Sequence, residues 1–376
     1  MGLLALKRFM SAQRDRRRQR IQAHDGSPAS VSKRKSSPFQ EDRDYEGGKR
    51  MKYLGPILPE MKDISVAKLS LRSLTGLHLC DVRITKDELA CLLHNSFALE
   101  QLKLKRCLKI ISLKISRMMQ RLSYLEVFEC NRLQAIESDA QHLSSFTFVG
   151  HHHVRISLGQ ALQLKRLDIE CRAAFCYARA ELPSSAPNLE TLFVHSRREM
   201  VSIPMMPSKF SLLKHLSVDL VAGKFPRTYD YCSVISFFDA SPSLETFYLN
   251  VSWTSLQQPS IFADDPSDLR QMPEHRHNKL KRVTIVGFSS AKSLVELACH
   301  ILVNTTSLEY ITLDTTEGHC LSRCSVNKFG ECFPIGRDII LESRKALLAI
   351  RTYIEGAVPS KVKLTVVEPC SRCHVV

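Results

Sequence analysis

One nine-residue phrase, L-x-x-L-x-L-x-x-C, governs what this chain can fold into. Its cleanest copies are Leu99-Glu-Gln-Leu102-Lys-Leu104-Lys-Arg-Cys107 and Leu122-Ser-Tyr-Leu125-Glu-Val127-Phe-Glu-Cys130. Weaker copies begin at Leu74, Leu143, Leu164, Leu189, Leu213, Leu244, Leu280 and Leu308. Within each copy the second and third apolar residues are two apart, the period of a strand with one buried face. The phrase therefore encodes one short strand followed by a tight turn, repeated about ten times.

This is the pattern of a leucine-rich repeat, whose period is roughly 20–29 residues. The steps between first leucines are 25, 23, 21, 21, 25, 24, 31, 36 and 28 residues, so the two longest must hold insertions. A single repeat cannot bury its apolar edge, so neighbours must stack. The expected fold is an α/β leucine-rich-repeat solenoid, a horseshoe with a long concave face. Ordinary amphipathic strands of an α/β sheet would not repeat the same internal offsets so often.

The offsets assign roles. Leu99, Leu102 and Leu104 point into the core, and Cys107 stands at the turn. Its buried side chain is expected to bond to turn backbone groups that would otherwise lack partners. The middle offset of each strand faces outward: His78, Lys103, Glu126, Thr147, Asp168, Phe193, Ser217, Tyr248, Thr284 and Thr312. One step to either side along that face adds Tyr124, Phe128, Arg166 and Tyr310. Aromatic residues and Arg among polar neighbours are the residue types of binding hot spots. The candidate protein-binding set is Lys103, Tyr124, Glu126, Phe128, Arg166, Asp168, Phe193, Tyr248 and Tyr310.

Composition narrows the class. No stretch approaches the ~20 apolar residues that span a bilayer, so no membrane partner is expected. The apolar start around Met1 to Met10 is cut by Lys7 and Arg8, too soon for a secretory segment. The 13 cysteines are an odd number, and several fall at repeat turns (Cys80, Cys107, Cys130), which favours reduced thiols over a disulfide framework. The expected location is nucleus, cytoplasm or both.

Four regions are expected. Residues 1–53 form a disordered basic tail, 54–72 a linker, 73–318 the repeat solenoid, and 319–376 a C-terminal loop, helix and strand that cap the last repeat. The tail carries +8 of the net charge of +15. Its few large apolar residues cannot offset the entropy of ordering. Three basic clusters, Arg16-Arg17-Arg18, Lys33-Arg34-Lys35 and Lys49-Arg50-Met51-Lys52, fit a nuclear import signal. In the C-terminal region a helix is expected over 338–355 with Leu341, Leu347, Leu348 and Ile354 roughly along one face. Gly356 and Pro359 end it, and Lys361–Val367 is expected to be a closing strand. Of the two insertions, 229–240 reads as an amphipathic helix and 250–279 as a polar loop.

These residues resemble the plant F-box proteins with leucine-rich repeats. The likeness rests on Cys at the repeat turns, on Phe237-Phe238-Asp239-Ala240-Ser241-Pro242-Ser243-Leu244-Glu245, on Leu54-Gly55-Pro56-Ile57-Leu58-Pro59-Glu60, and on the C-terminal phrases Tyr353-Ile354-Glu355-Gly356 and Glu368-Pro369-Cys370-Ser371-Arg372-Cys373-His374. The resemblance implies the substrate-binding portion of a ubiquitin-ligase receptor, with a protein substrate on the concave face. It also implies an F-box of about 40–50 residues that grips a Skp-type adaptor. Here Glu60 is followed by only about a dozen residues before the first repeat, so most of the F-box is missing and adaptor docking is not expected. A stand-alone scaffold or competitor is the alternative. Nucleic-acid binding through the basic tail is a third class, not the expected one.

Other groupings of reactive side chains fail on spacing or geometry. Cys370-Ser-Arg-Cys373-His374 has haem-attachment spacing and offers two thiolates for zinc, with His319, Cys320, Cys324 and Cys332 as further ligands, but the spacing matches no familiar finger. His151-His152-His153 falls at a turn, where adjacent side chains diverge. No phosphate-binding loop, nucleophile elbow or H-E-x-x-H is present. Neither an enzyme nor a cofactor is expected.

Overall fold

The computed structural model describes residues 73–369, apart from 153, 160, 197–208, 221–228, 252–258, 263–268, 271, 273–275 and 317–334. The basic tail, the 54–72 linker, His153 and every candidate zinc ligand named above lie outside the described residues.

Eleven strands form one parallel sheet, in the order β1 (Gly76–Cys80), β2 (Gln101–Lys105), β4 (Tyr124–Phe128), β6 (Ser145–Val149), β8 (Arg166–Cys171), β9 (Thr191–Ser196), β10 (His215–Leu220), β11 (Thr246–Val251), β12 (Arg282–Val286), β13 (Tyr310–Asp314) and β14 (Lys363–Val367). The first ten are the strands of the ten phrases, and β14 is the expected closing strand. Repeats of one phrase stack in register, so the same offset recurs on each rung. Leu77 pairs with Leu102, Leu102 with Leu125, and Leu125 with Phe146. The second and fourth residues of each strand are apolar and point inward. Leu102, Leu125, Val127, Leu192, Val194, Leu249, Ile285 and Ile311 are all sealed from solvent.

The turns use the expected cysteines. The Cys107 thiol donates to Leu79 O (3.6 Å) and Lys105 O (3.7 Å), and Cys130 donates to Leu104 O (3.7 Å) and Phe128 O (3.7 Å). Just before Cys107, Cys130 and, in the first rung, Val82, the backbone swings into the left-handed region, at Arg106 (φ 51), Glu129 (φ 50) and Asp81 (φ 56); Cys80, expected at a turn, instead ends β1 opposite Lys105. That swing sends each amide across to the next rung: Asp81 N–H to Lys105 O (2.9 Å), Arg106 N–H to Phe128 O (2.8 Å) and Glu129 N–H to Val149 O (2.7 Å). His151, in the register of those cysteines, is exposed instead of buried.

Opposite the main sheet the early repeats close with a second, three-stranded parallel sheet: β3 (Ser112–Ile115), β5 (Ala135–Ser138) and β7 (Arg155–Ser157). Leu113, Ile115, Ile136 and Ile156 bring its apolar side into the core. The first repeat uses a helix instead, at Lys86–His94, as do later ones, at Ala174–Ala180, Leu182–Ser185, Ile235–Ala240 and Lys292–Asn304. These are filled by larger side chains: Phe175 packs on Phe237 at 4.6 Å between ring centroids, and the buried Arg179 reaches Ser236 O (3.0 Å). The first insertion is a short 3-10 turn, Tyr231–Val234, leading into helix Ile235–Ala240. The second is tied down by Arg270, which binds Asp230 (2.5 Å) and the fully buried Glu296 (2.8 Å).

The C-terminal helix Arg337–Ala349 continues as a π turn, Ile350–Ile354, and a 3-10 turn, Glu355–Ala357. Its buried stripe is Ile340, Ser343, Ala346, Ala349, Ile350 and Ile354. The expected stripe was therefore wrong on two positions: Leu341 and Leu348 are exposed. The helix needs small residues on its packed face because hydroxyl bonds draw it close. Ser343 Oγ meets Thr315 Oγ1 at 2.7 Å, and Ser290 N–H and Oγ donate to Glu342 Oε1 at 2.8 and 2.6 Å.

Candidate protein-binding face

The odd-numbered positions of every strand form the outward face of the large sheet. Strand pairing runs His78–Lys103–Glu126–Thr147–Asp168–Phe193–Ser217–Tyr248–Thr284–Thr312 in one row, and Thr365 of β14 extends it. All nine candidate binding residues stand on this face, but they fall into three groups.

On β2 and β4, Lys103 Nζ lies 3.3 Å from Glu126 Oε2 and 5.1 Å from the centre of the Tyr124 ring. Tyr124 donates its hydroxyl to the same carboxylate oxygen (3.0 Å). Lys105 sits over the Phe128 ring at 4.7 Å. Burial, with the Lys103 ammonium nearby, lowers the pKa of His78 at the start of this row.

On β8 to β10, the Arg166 guanidinium stacks over Phe193 at 4.4 Å. His195 stands between two carboxylates, with Nε2 3.6 Å from Asp168 and Nδ1 3.4 Å from Asp219. The bond to Asp219 raises the His195 pKa against the opposing effect of burial, and Asp168 and Glu170 add to the rise. Burial raises the pKa of Asp168, with the His195 and Arg166 charges acting against it.

On the later strands, Tyr248 is 39% exposed and Tyr310 44% exposed, far more than an aromatic ring in a core. Arg282 lies over the Tyr310 ring at 5.3 Å. Four cation–π pairs thus recur along one face, each worth roughly 0.5–1 kcal/mol at an exposed site. They hold long cationic side chains flat against rings and so fix the shape of the surface.

Lys105, His195, Asp219 and Arg282 also belong to these groups and were not among the expected residues. The signal was in reach. The step along the strand that selects Tyr124 and Phe128 from the middle row lands on these four as well. Among the described residues no three His, Cys, Asp or Glu side chains are grouped to hold a metal. Nor is any described helix long and apolar enough to cross a membrane.

A repeated strand, a repeated turn and a continuous outward face define a leucine-rich-repeat domain, a class that typically binds other proteins and is typically non-catalytic. The chain belongs to the family described as At1g61320/AtMIF1, LRR domain, whose model matches residues 62–371. No curated protein matches the chain.

Proposed function

We propose that the chain recognises another protein with the outward face of its large sheet, as the substrate-binding portion of an F-box-type ubiquitin-ligase receptor. In this reading the stacked repeats curve into a solenoid and the face is its concave side. The observation that carries the recognition step is the run of aromatic rings and pinned cations from Tyr124 to Tyr310. Rigid aromatic and Arg groups lose little entropy on binding and are the residue types that dominate interfaces. The ligase assignment draws on the resemblance at residues 54–60, 237–245 and 353–374.

The test is capture. Tagged chain and variants Phe128→Ala, Tyr248→Ala and Tyr310→Ala are compared for the proteins they retain in cells. Specific partners are expected to fall away with the face variants while the folded fraction is unchanged. Partners insensitive to every face variant would sink the reading.

One observation favours a second reading. Only residues 61–75 separate Glu60 from β1, which begins at Gly76. A stable interface needs roughly 20–30 residues a side. A chain that binds substrate without gripping the Skp-type adaptor would protect that substrate from degradation. Calorimetry of purified chain against the adaptor separates the two: no heat is expected, and a tight complex would restore the receptor role. The basic clusters of the tail are proposed as an import signal. Neutralising Lys33, Arg34 and Lys35 together with Lys49, Arg50 and Lys52 should reduce nuclear enrichment of a fluorescent fusion.

A further inference from the structure

The face is not uniform in charge. Its early rungs carry Lys103 and Lys105, whereas β8 to β10 gather Asp168, Glu170 and Asp219 around a single imidazole. In a chain of net charge +15 such a grouping needs a reason. Arg166, whose charge acts on Asp168, is stacked on Phe193 at 4.4 Å. His195 supplies a counter-charge only when protonated.

A second observation comes from the next strand. Asn250 is 92% buried, with 8% of its surface exposed, and its Oδ1 has no hydrogen-bond donor. It is paired in register with Asp219, and the alternation of β11 puts it on the same face as Thr246 and Tyr248. Oδ1 of Asp219 is also buried without a donor. Two neighbouring acceptors therefore lack a donor at the edge of a carboxylate cluster. Groups that carry donors alone, and positive charge, are ammonium and guanidinium.

The approach is shaped as well. In the middle row, Ser217 lies between Phe193 and Tyr248. Rungs are ~4.8 Å apart, so the two aromatic strands stand ~9.6 Å from each other, and the row's own side chain between them is the small Ser217. That gap suits the alkyl stem of a long side chain, with an aromatic residue on either side. Along β10 the notch leads from Ser217 to Asp219.

We propose that Asp219, at the end of the Phe193–Ser217–Tyr248 notch, and Asp168, across His195 from it, receive a Lys or Arg side chain of the partner protein. The inference rests on the protein-recognition reading and names the chemistry of that partner: a basic segment, not a nucleic acid, whose phosphates the carboxylates would repel. His195 acts as the internal competitor. The charged groups facing it are Asp168 and Glu170 on β8 and Asp219 on β10. When protonated it holds the carboxylates itself. When neutral it leaves them to the incoming cation, so binding tightens as pH rises through the elevated His195 pKa.

The probe is a fluorescent synthetic peptide of repeating Gly-Lys-Gly-Arg sequence, titrated into the full chain by anisotropy. The control peptide has Gln at every cationic position. The basic peptide is expected to bind, to bind several-fold better on the alkaline side of the His195 titration, and to lose about tenfold or more with Asp168→Asn plus Asp219→Asn. Ser217→Trp should block the notch with the carboxylates intact. His195→Gln should remove the pH dependence. Equal binding of the Gln peptide, no effect of the paired Asn variants, or no binding to the unaltered chain would overturn the proposal. So would binding that emerges only when Lys49, Arg50 and Lys52 are neutralised, which would assign the carboxylates to the chain's own tail. Cellular partners lost with Phe128→Ala or Tyr310→Ala but kept with the Asn variants would remove this inference alone and leave the recognition reading standing.

Discussion

Arg106 grips Asp81 at two points, Nε to Oδ1 at 2.7 Å and a terminal nitrogen to Oδ2 at 2.7 Å. Both residues sit directly after their strands with left-handed backbone. The turn geometry therefore turns adjacent rungs' side chains toward each other. The Arg106 guanidinium, with help from the Cys80 thiol, holds the Asp81 carboxyl down at about 2, below its ordinary value near 3.8. A depressed folded-state pKa stabilises above the unfolded value, and that stabilisation is lost as pH falls toward about 2. Asp81→Asn keeps a residue suited to left-handed backbone and removes the charge. Its urea midpoint should fall below that of the unaltered chain at neutral pH, and the two should converge near pH 2.

Leu125 and Glu126 are neighbours in β4 with opposite environments. Leu125 is fully sealed, whereas the Glu126 side chain is 25% exposed. Leu125→Ala is expected to cost about 2–5 kcal/mol. Glu126→Ala should cost under ~1 kcal/mol, since it removes only a surface ion pair and one hydroxyl bond. Equal shifts in urea melts would reject the strand register.

Arg270→Met should be costly although Arg270 itself is half-exposed. It strands the fully buried carboxylate of Glu296, which accepts from the Arg270 backbone N–H (3.0 Å) and guanidinium (2.8 Å). Breaking a buried pair from one side costs about 3–5 kcal/mol. The double change Arg270→Met with Glu296→Gln should recover part of it. A double variant no more stable than the single one would show that the charge is not the cause.

Two turn residues should respond in opposite directions. Gly287 follows β12 with φ 72, so Gly287→Ala should destabilise by about 1–2 kcal/mol. Ala173 holds φ 57 between β8 and its helix, so Ala173→Gly should be neutral or stabilising. Thermal melts of the pair check the sign.

Thiol reactivity should map the rungs. The Cys130 neighbour and burial push the Cys107 thiol far above its usual range, and burial lifts Cys299 to about 11. Cys91 is exposed. Among the described cysteines, iodoacetamide at neutral pH should label Cys91 first and reach Cys107 and Cys130 only after unfolding. Early labelling of Cys107, read by peptide mass mapping, would contradict the buried turn.

The main sheet was legible because its signal is periodic. Each first leucine predicts a rung, and each rung fixes its neighbours. Structure outside the strands obeys no such rule. The helix Lys86–His94 announced itself by Thr85 and Glu88, which cap it reciprocally, but four residues of local chemistry are easily missed inside a 25-residue repeat. The strands β3, β5 and β7 are three or four residues long, too short for alternation to stand out. Leu341 and Leu348 misled for a different reason. Hydrophobicity alone marked the helix face, whereas Ser343, Ala346 and Ala349 pack there because they are small. On the outward face, His195 and Asp219 drew no notice because their meaning depends on two other strands.

The rung spacing also sets a rule for whatever lies across the sheet. Rungs recur every ~4.8 Å, while same-side residues of an extended chain recur every ~6.8 Å. The two scales act as a vernier: three rungs span ~14.4 Å, close to two such steps at ~13.6 Å. An extended segment crossing the strands first comes back near phase at the third rung. From Asp168 on β8 the next coincidence is Tyr248 on β11, so an extended segment laid there would meet charge and ring with residues four apart.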